Sequence, residues 1–137
     1  MERSLVLVKP DAMERGLAGA ILARLQAEGL RLSALKMLHL DRPTAERHYA
    51  VHREKPFFGE LVDYITSTPI VAAVFTGENG IARIRTIMGA TNPANAEAGT
   101  IRKDYGIDVQ RNSTHASDSP ENGEVEIGIY FTPDEIF

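Results

Sequence analysis

Cysteine and tryptophan are both missing from this 137-residue sequence. Without cysteine there is no disulfide framework, thiol nucleophile or thiolate metal site, so any covalent chemistry falls to another side chain. No apolar run is long enough to span a bilayer and no charged-then-apolar leader stands at the start, so the cytoplasm is the expected compartment. Positive charge is short as well: 15 Lys and Arg against 19 Asp and Glu leave a formal net charge of −4 at pH 7. That balance argues against general adhesion to nucleic acid or to an anionic membrane, though it allows a local basic pocket. Repeats, low-complexity tracts and Pro/Ser-rich linkers are also absent, and residues 1–137 read as a single domain with room for its own core.

What the sequence does contain centres on Arg111-Asn112-Ser113-Thr114-His115-Ala116-Ser117-Asp118-Ser119. Here a histidine stands among small polar side chains, where a buried structural histidine would have apolar neighbours. Imidazole keeps a large neutral fraction at pH 7 and can attack an electrophile without a separate base, so His115 is a candidate nucleophile. Ser119-Pro120-Glu121 follows as a helix start: Ser119 as N-cap, Pro120 at the first position, Glu121 in the first turn. His115 is therefore expected on a strand end or tight connection just before a helix. The plain alternative is a hydrogen-bonded loop histidine.

Along the chain, Ser4-Leu5-Val6-Leu7-Val8 reads as a buried strand stopped by Lys9-Pro10-Asp11, which leaves Lys9 at its end. Leu17, Ile21 and Leu25 mark a first helix, with Gly29 as its stop. Leu30 to Leu40 alternates as a long strand, and Asp41-Arg42-Pro43 opens a short helix carrying Tyr49. His48 and His52 have the spacing of a metal pair, but no third ligand lies at a recognisable offset. Lys55-Pro56-Phe57-Phe58-Gly59 is a turn with two aromatics, one expected to pack and one to face a cleft. A helix with Leu61, Val62 and Ile65 follows, and Pro69 closes it. Ile70–Phe75 is a buried strand, and Ile81, Ile84 and Met88 mark a helix that also carries Arg83 and Arg85.

From Gly89 to about Gln110 the periodicity stops, and a connection of roughly 20 residues points to function. The last segment carries contradictory signals. Glu124–Phe131 alternates like a strand, whereas the cap before it announces a helix that Gly123 and Gly128 would weaken by about 1 kcal/mol each. The element order suits a small split β-α-β sandwich of the α+β class. Neither G-x-x-x-x-G-K-[ST] nor G-x-G-x-x-G occurs, so phosphate would have to be held by side chains such as Lys9, Arg85 and Arg102.

Several blocks together resemble the nucleoside diphosphate kinases from end to end: Val8-Lys9-Pro10-Asp11, Arg47-His48-Tyr49, Lys55-Pro56-Phe57-Phe58, Met88-Gly89-Ala90-Thr91-Asn92-Pro93-Ala94, Gly99-Thr100-Ile101-Arg102 and Asn112-x-x-His115-Ala116-Ser117-Asp118-Ser119. The resemblance implies a ferredoxin-like α/β sandwich, with a four-stranded antiparallel sheet covered by helices and a long loop before the catalytic histidine. It implies transfer of a γ-phosphoryl group from nucleoside triphosphate to nucleoside diphosphate, ping-pong, through a phosphohistidine on His115. The chemistry agrees, because a labile phosphoramidate suits a nearly isoenergetic exchange, whereas a serine ester would trap the group.

By the same resemblance Ser117 and Glu126 orient His115. Lys9, Tyr49, Arg85, Thr91 and Arg102 hold the phosphates, Lys9 and Asn112 reach the sugar hydroxyls, and Phe57 stacks on any base. Mg²⁺ would sit on the nucleotide phosphates and reach Asp118 through water. A homo-oligomer is implied, a hexamer rather than a tetramer. Taken singly, Phe57, Tyr49, Arg85 and Thr91 have ordinary structural readings; jointly, in family order, the functional reading wins. Ala116 stands where the family commonly has glycine, which matters only if that position needs positive φ. Gly123 and Gly128 are expected to loosen the helix that holds Glu126. Two other classes compete: a nucleotide-binding regulatory module without chemistry, and a nucleic-acid-binding module.

Overall fold

Two strands without polar alternation can both be satisfied only at the centre of a sheet covered on each face. In the computed structural model, which describes all residues Met1–Phe137, β1 (Glu2–Val8) and β3 (Ile70–Gly77) occupy that position. The strand order is β2-β3-β1-β4, with β2 at Arg31–Leu38, β4 at Thr114–Ala116 and every pair antiparallel. Leu5 and Leu7 lie opposite Val74 and Ala72 and point with them to one face. Val6 and Val8 point with Ala73 and Phe75 to the other.

Helices then divide between the faces. α3 (Arg42–His48), α4 (Phe58–Ile65) and α7 (Pro120–Tyr130) bring Ala45, Val62, Ile65, Ile127 and Tyr130 to the first. Against the second lie α1 (Pro10–Glu14), α2 (Ala18–Ala27), α5 (Gly80–Met88) and α6 (Ile101–Tyr105), with Ala12, Ile21, Leu25, Ile84, Met88 and Ile101 buried. Short 3₁₀ turns fall at Ala50–His52, Pro93–Asn95 and Pro133–Glu135. This is the expected α+β sandwich, with helices on both faces of the sheet.

Several elements depart from the sequence reading. Pro10 ends β1 but also starts α1, where its missing N–H costs nothing. β2 is shorter than Leu30–Leu40 and slips register between Leu32 and Ala34, so Leu35 and Met37 on this edge strand face solvent. The aperiodic stretch before His115 is not structureless: Thr100 caps α6, its hydroxyl accepting the Lys103 N–H, and Ile101 is fully buried. The cap signal also decides the last segment. Ser119 accepts the Asn122 N–H, and Gly123, Ile127 and Tyr130 form the buried helical face while Val125 points outward.

Gly123 sits where α7 meets the sheet. A Cβ there would stand 2.7 Å from the Arg3 carbonyl oxygen of β1, so the missing side chain is what allows α7 to lie this close to the sheet. At Gly128 a Cβ would meet nothing within 4 Å, so only the helix-propensity cost remains. Ala116 lies in β4 and is not among the residues with positive φ, so its methyl costs no strain.

The two glycines should therefore respond oppositely to alanine. Gly123→Ala is expected to lose about 1–3 kcal/mol through the forced shift of α7, and Gly128→Ala to gain about 1 kcal/mol, both read from denaturant midpoints.

Candidate functional site

β4 is only three residues long, yet its pairing with β1 places His115 opposite Leu7 and draws Lys9 to the same strand end. The approach is strained: Ser113 has φ 75, and its carbonyl accepts the Lys9 N–H at 2.9 Å. His115 Nε2 lies 3.0 Å from Glu126 Oε1. A carboxylate can only accept, so Nε2 carries the hydrogen and Nδ1 keeps the lone pair, with no partner in the chain. Ser117 Oγ donates to the same Glu126 oxygen at 2.7 Å while accepting the Leu5 N–H at 3.0 Å. Burial works to raise the Glu126 carboxyl, but the His115 hydrogen bond and charge, with the Ser117 hydroxyl, outweigh it and hold the group below its ordinary range.

Cations converge from three other segments. Lys9, 7% exposed, donates to Gln110 O at 2.8 Å and Asn112 Oδ1 at 2.9 Å. Asn112 Nδ2 in turn donates to Thr91 O at 2.8 Å, which joins three expected site residues in one chain of bonds. Arg102, 6% exposed, donates to Gly89 O at 2.9 Å and Thr114 O at 3.0 Å; Arg85 donates to Ala116 O at 3.4 Å. The two arginines thus grip the carbonyls on either side of His115. Burial, then Arg102, lowers Lys9 to about 8; burial, then Arg85, lowers Arg102 to about 10.

A cleft of about 750 Å³ opens over these groups. Of the residues singled out from sequence, Lys9, Tyr49, Phe57, Arg85, Thr91, Arg102, Asn112, His115, Asp118 and Glu126 line it; Ser117 is fully buried beneath. Phe58, half-buried, packs against the core and Phe57 faces the cleft, the division expected of the pair. His52 stands 5.6 Å from the Phe57 ring and Lys55 Nζ lies 5.8 Å above it.

His48 and His52 do not share a helix face. α3 ends at His48 and a 3₁₀ turn begins at Ala50, so His48 turns against His115 and His52 against Phe57. No group of three or more His, Cys, Asp or Glu comes together to hold a metal. Arg47, Val109 and Gln110 also line the cleft and were missed. Arg47 shares a motif with His48 and Tyr49 that gives it no role of its own, and Val109 lies in the aperiodic stretch, where no periodic signal marks it.

The sequence model of the nucleoside diphosphate kinase family matches residues 2–136. A nucleoside diphosphate kinase of Archaeoglobus fulgidus is 58% identical over 136 residues, covering 99% of this chain and 90% of its own. Among solved structures, that of the Aquifex aeolicus nucleoside diphosphate kinase superposes with TM-score 0.97 at 47% identity, covering 99% of both chains. A halophilic nucleoside diphosphate kinase from Halobacterium salinarum in complex with CDP superposes with TM-score 0.96 at 43% identity, covering 99% of this chain and 91% of that one.

Removing the Ser117 hydroxyl would orphan the buried Leu5 N–H and free one of the two donors on Glu126. Ser117→Ala is therefore expected to lower unfolding free energy by about 1–3 kcal/mol, measured by urea denaturation.

Proposed function

The chain belongs to the nucleoside diphosphate kinase family, and on that premise we propose that His115 is the residue that carries the migrating phosphoryl group. The enzyme moves the γ-phosphoryl group of a nucleoside triphosphate to a nucleoside diphosphate in two half-reactions, by the ping-pong histidine mechanism general to this family. The observation that carries the residue assignment is the bond from His115 Nε2 to Glu126, because it leaves the Nδ1 lone pair to attack phosphorus without prior loss of a proton. In the first half-reaction the N–P bond forms as the bond to the bridging oxygen breaks, and its electron pair leaves with the diphosphate. In the second, an oxygen of the acceptor's terminal phosphate attacks, and the electrons of the N–P bond return to Nδ1. Ser117 keeps the Glu126 carboxylate aimed at the ring throughout.

Lys9, Tyr49, Arg85, Thr91 and Arg102 hold the phosphates, and the two arginines beside His115 meet the charge spread over the transferring group. Lys9 and Asn112 also reach the sugar hydroxyls. Phe57 offers an exposed ring at the mouth of the cleft, and stacking on it accepts purines and pyrimidines alike.

The donor set suits Mg²⁺. Of the carboxylates lining the cleft, Glu126 is engaged by His115 and Ser117, whereas Asp118 has Oδ1 held only by Asn122 Nδ2 at 2.7 Å. This matches an ion that keeps its waters and rides mainly on substrate phosphates. When bound there, it supplies neutralising charge on the phosphate oxygens. The proposed setting is the cytoplasm; no helix of the chain is long and apolar enough to cross a membrane. The proposed assembly is a homo-oligomer, a hexamer rather than a tetramer, and the open edge of β2 with Leu35 and Met37 exposed favours self-association.

Incubation with γ-labelled ATP is expected to leave acid-labile, alkali-stable label that His115→Ala abolishes; binding without label would favour the regulatory reading instead. Lys9 loses its proton as pH rises through about 8, which removes a positive charge from the free enzyme. The kcat/KM for nucleotide should therefore fall through that range, and Lys9→Arg should abolish the fall. Light scattering should return about six times the 15.1 kDa chain mass.

A further inference from the structure

One imidazole touches the His115 ring and has no part in the transfer just described. His48, at the end of α3, is 9% exposed and stands edge-on to His115, with 4.7 Å between ring centroids and 76° between planes. Tyr49 packs on it at 4.7 Å and 88°, and Tyr130 at 5.7 Å and 77°. The ring is therefore held by three edge-to-face contacts, the arrangement that aromatic quadrupoles favour. Its Nδ1 is buried and has no hydrogen-bond partner. A phenylalanine would fill a similar space without stranding a nitrogen, so hydrogen bonding at Nδ1 is not what this ring supplies. Its Nε2 is not enclosed in this way and has no partner in the chain, so what the protein itself draws from the ring is shape and the absence of charge. Burial, then the nearness of His115, depresses the His48 pKa to about 3, so the ring is neutral across the neutral range.

The Glu126 bond alone leaves His115 some freedom, because a carboxylate accepts from a broad range of directions. Phosphoryl transfer needs more than that: a small misplacement of the attacking atom costs heavily in rate. We propose that His48 is a positioning residue, its neutral ring edge forming a wall that, with the Glu126 hydrogen bond, stops the His115 imidazole rocking and keeps Nδ1 aimed at the incoming phosphorus. His48 also lines the cleft, but its ring packs on His115, and it is through that contact that the wall acts. Losing it slows chemistry while leaving substrate affinity in place.

This inference rests on His115 being the phosphoryl carrier. Single-turnover transfer from γ-labelled ATP tests both, using wild type, His48→Ala, His48→Leu and His48→Phe, with His115→Ala as blank. His48→Leu keeps the buried volume without a flat edge, and guards against a poorly folded alanine variant. The expected result is at least about a tenfold slower phosphoenzyme formation in the alanine and leucine variants, KM within about twofold, and His48→Phe within about threefold of wild type. Nitrogen-15 shifts of His115 should report mainly the Nε2–H form in wild type and a mixture in His48→Leu. A leucine variant at the wild-type rate overturns the proposal, and so does a phenylalanine variant as slow as leucine. Wild type without label on His115 would bring down the carrier assignment itself, a distinct result.

Discussion

A single carboxylate oxygen, Glu126 Oε1, receives both the His115 Nε2–H and the Ser117 hydroxyl, and much of the fold is arranged so that this can happen. Ser117 follows β4 and is tied back to β1 by the Leu5 N–H and the Ser4 hydroxyl. Glu126 comes from α7, a helix whose closeness to β1 depends on the bare Cα of Gly123. Strand, turn and helix thus meet at one atom, which selects the tautomer of the histidine.

The second constraint is electrostatic. Lys9 and Arg102 are buried, and their hydrogen bonds go to carbonyl oxygens, with no carboxylate pairing to discharge them. Burial and like charge lower the pKa of each, so holding both charged has a cost that a nearby anion would relieve. A chain of net charge −4 can in this way present a local positive site, because Lys9, Arg47, Arg85 and Arg102 all line one cleft. Their bonds to Gly89, Thr114 and Ala116 also fix the arginines on either side of His115, so orientation and charge come from the same contacts.

Much of the fold was legible because its strongest signals are local. Apolar runs at Leu5–Val8 and Ile70–Phe75 declared the central strands, and Asp41 and Ser119 marked helix starts that the backbone uses. The places that misled are those where distant contacts override a local pattern. Glu124–Phe131 alternates, but packing against β1 rewards the helical face Gly123, Ile127 and Tyr130. Leu35 and Met37 alternate out of step because a register slip in β2 turns them to solvent. Arg102 lay in an aperiodic stretch, and only α6 with its buried Ile101 brings it under His115.

By itself the sequence determined the chemistry available: no thiol, a histidine among small polar residues, and cations spaced along the chain to serve a phosphate without a glycine cradle. Set in order, its motifs also declared a family. Tertiary structure alone decided which nitrogen of His115 is free, that His48 abuts His115 while His52 lies against Phe57, and that Val109 joins the cleft. Each of those turns on a side-chain direction or on proximity across tens of residues, and periodicity and composition encode neither until strands pair and helices pack.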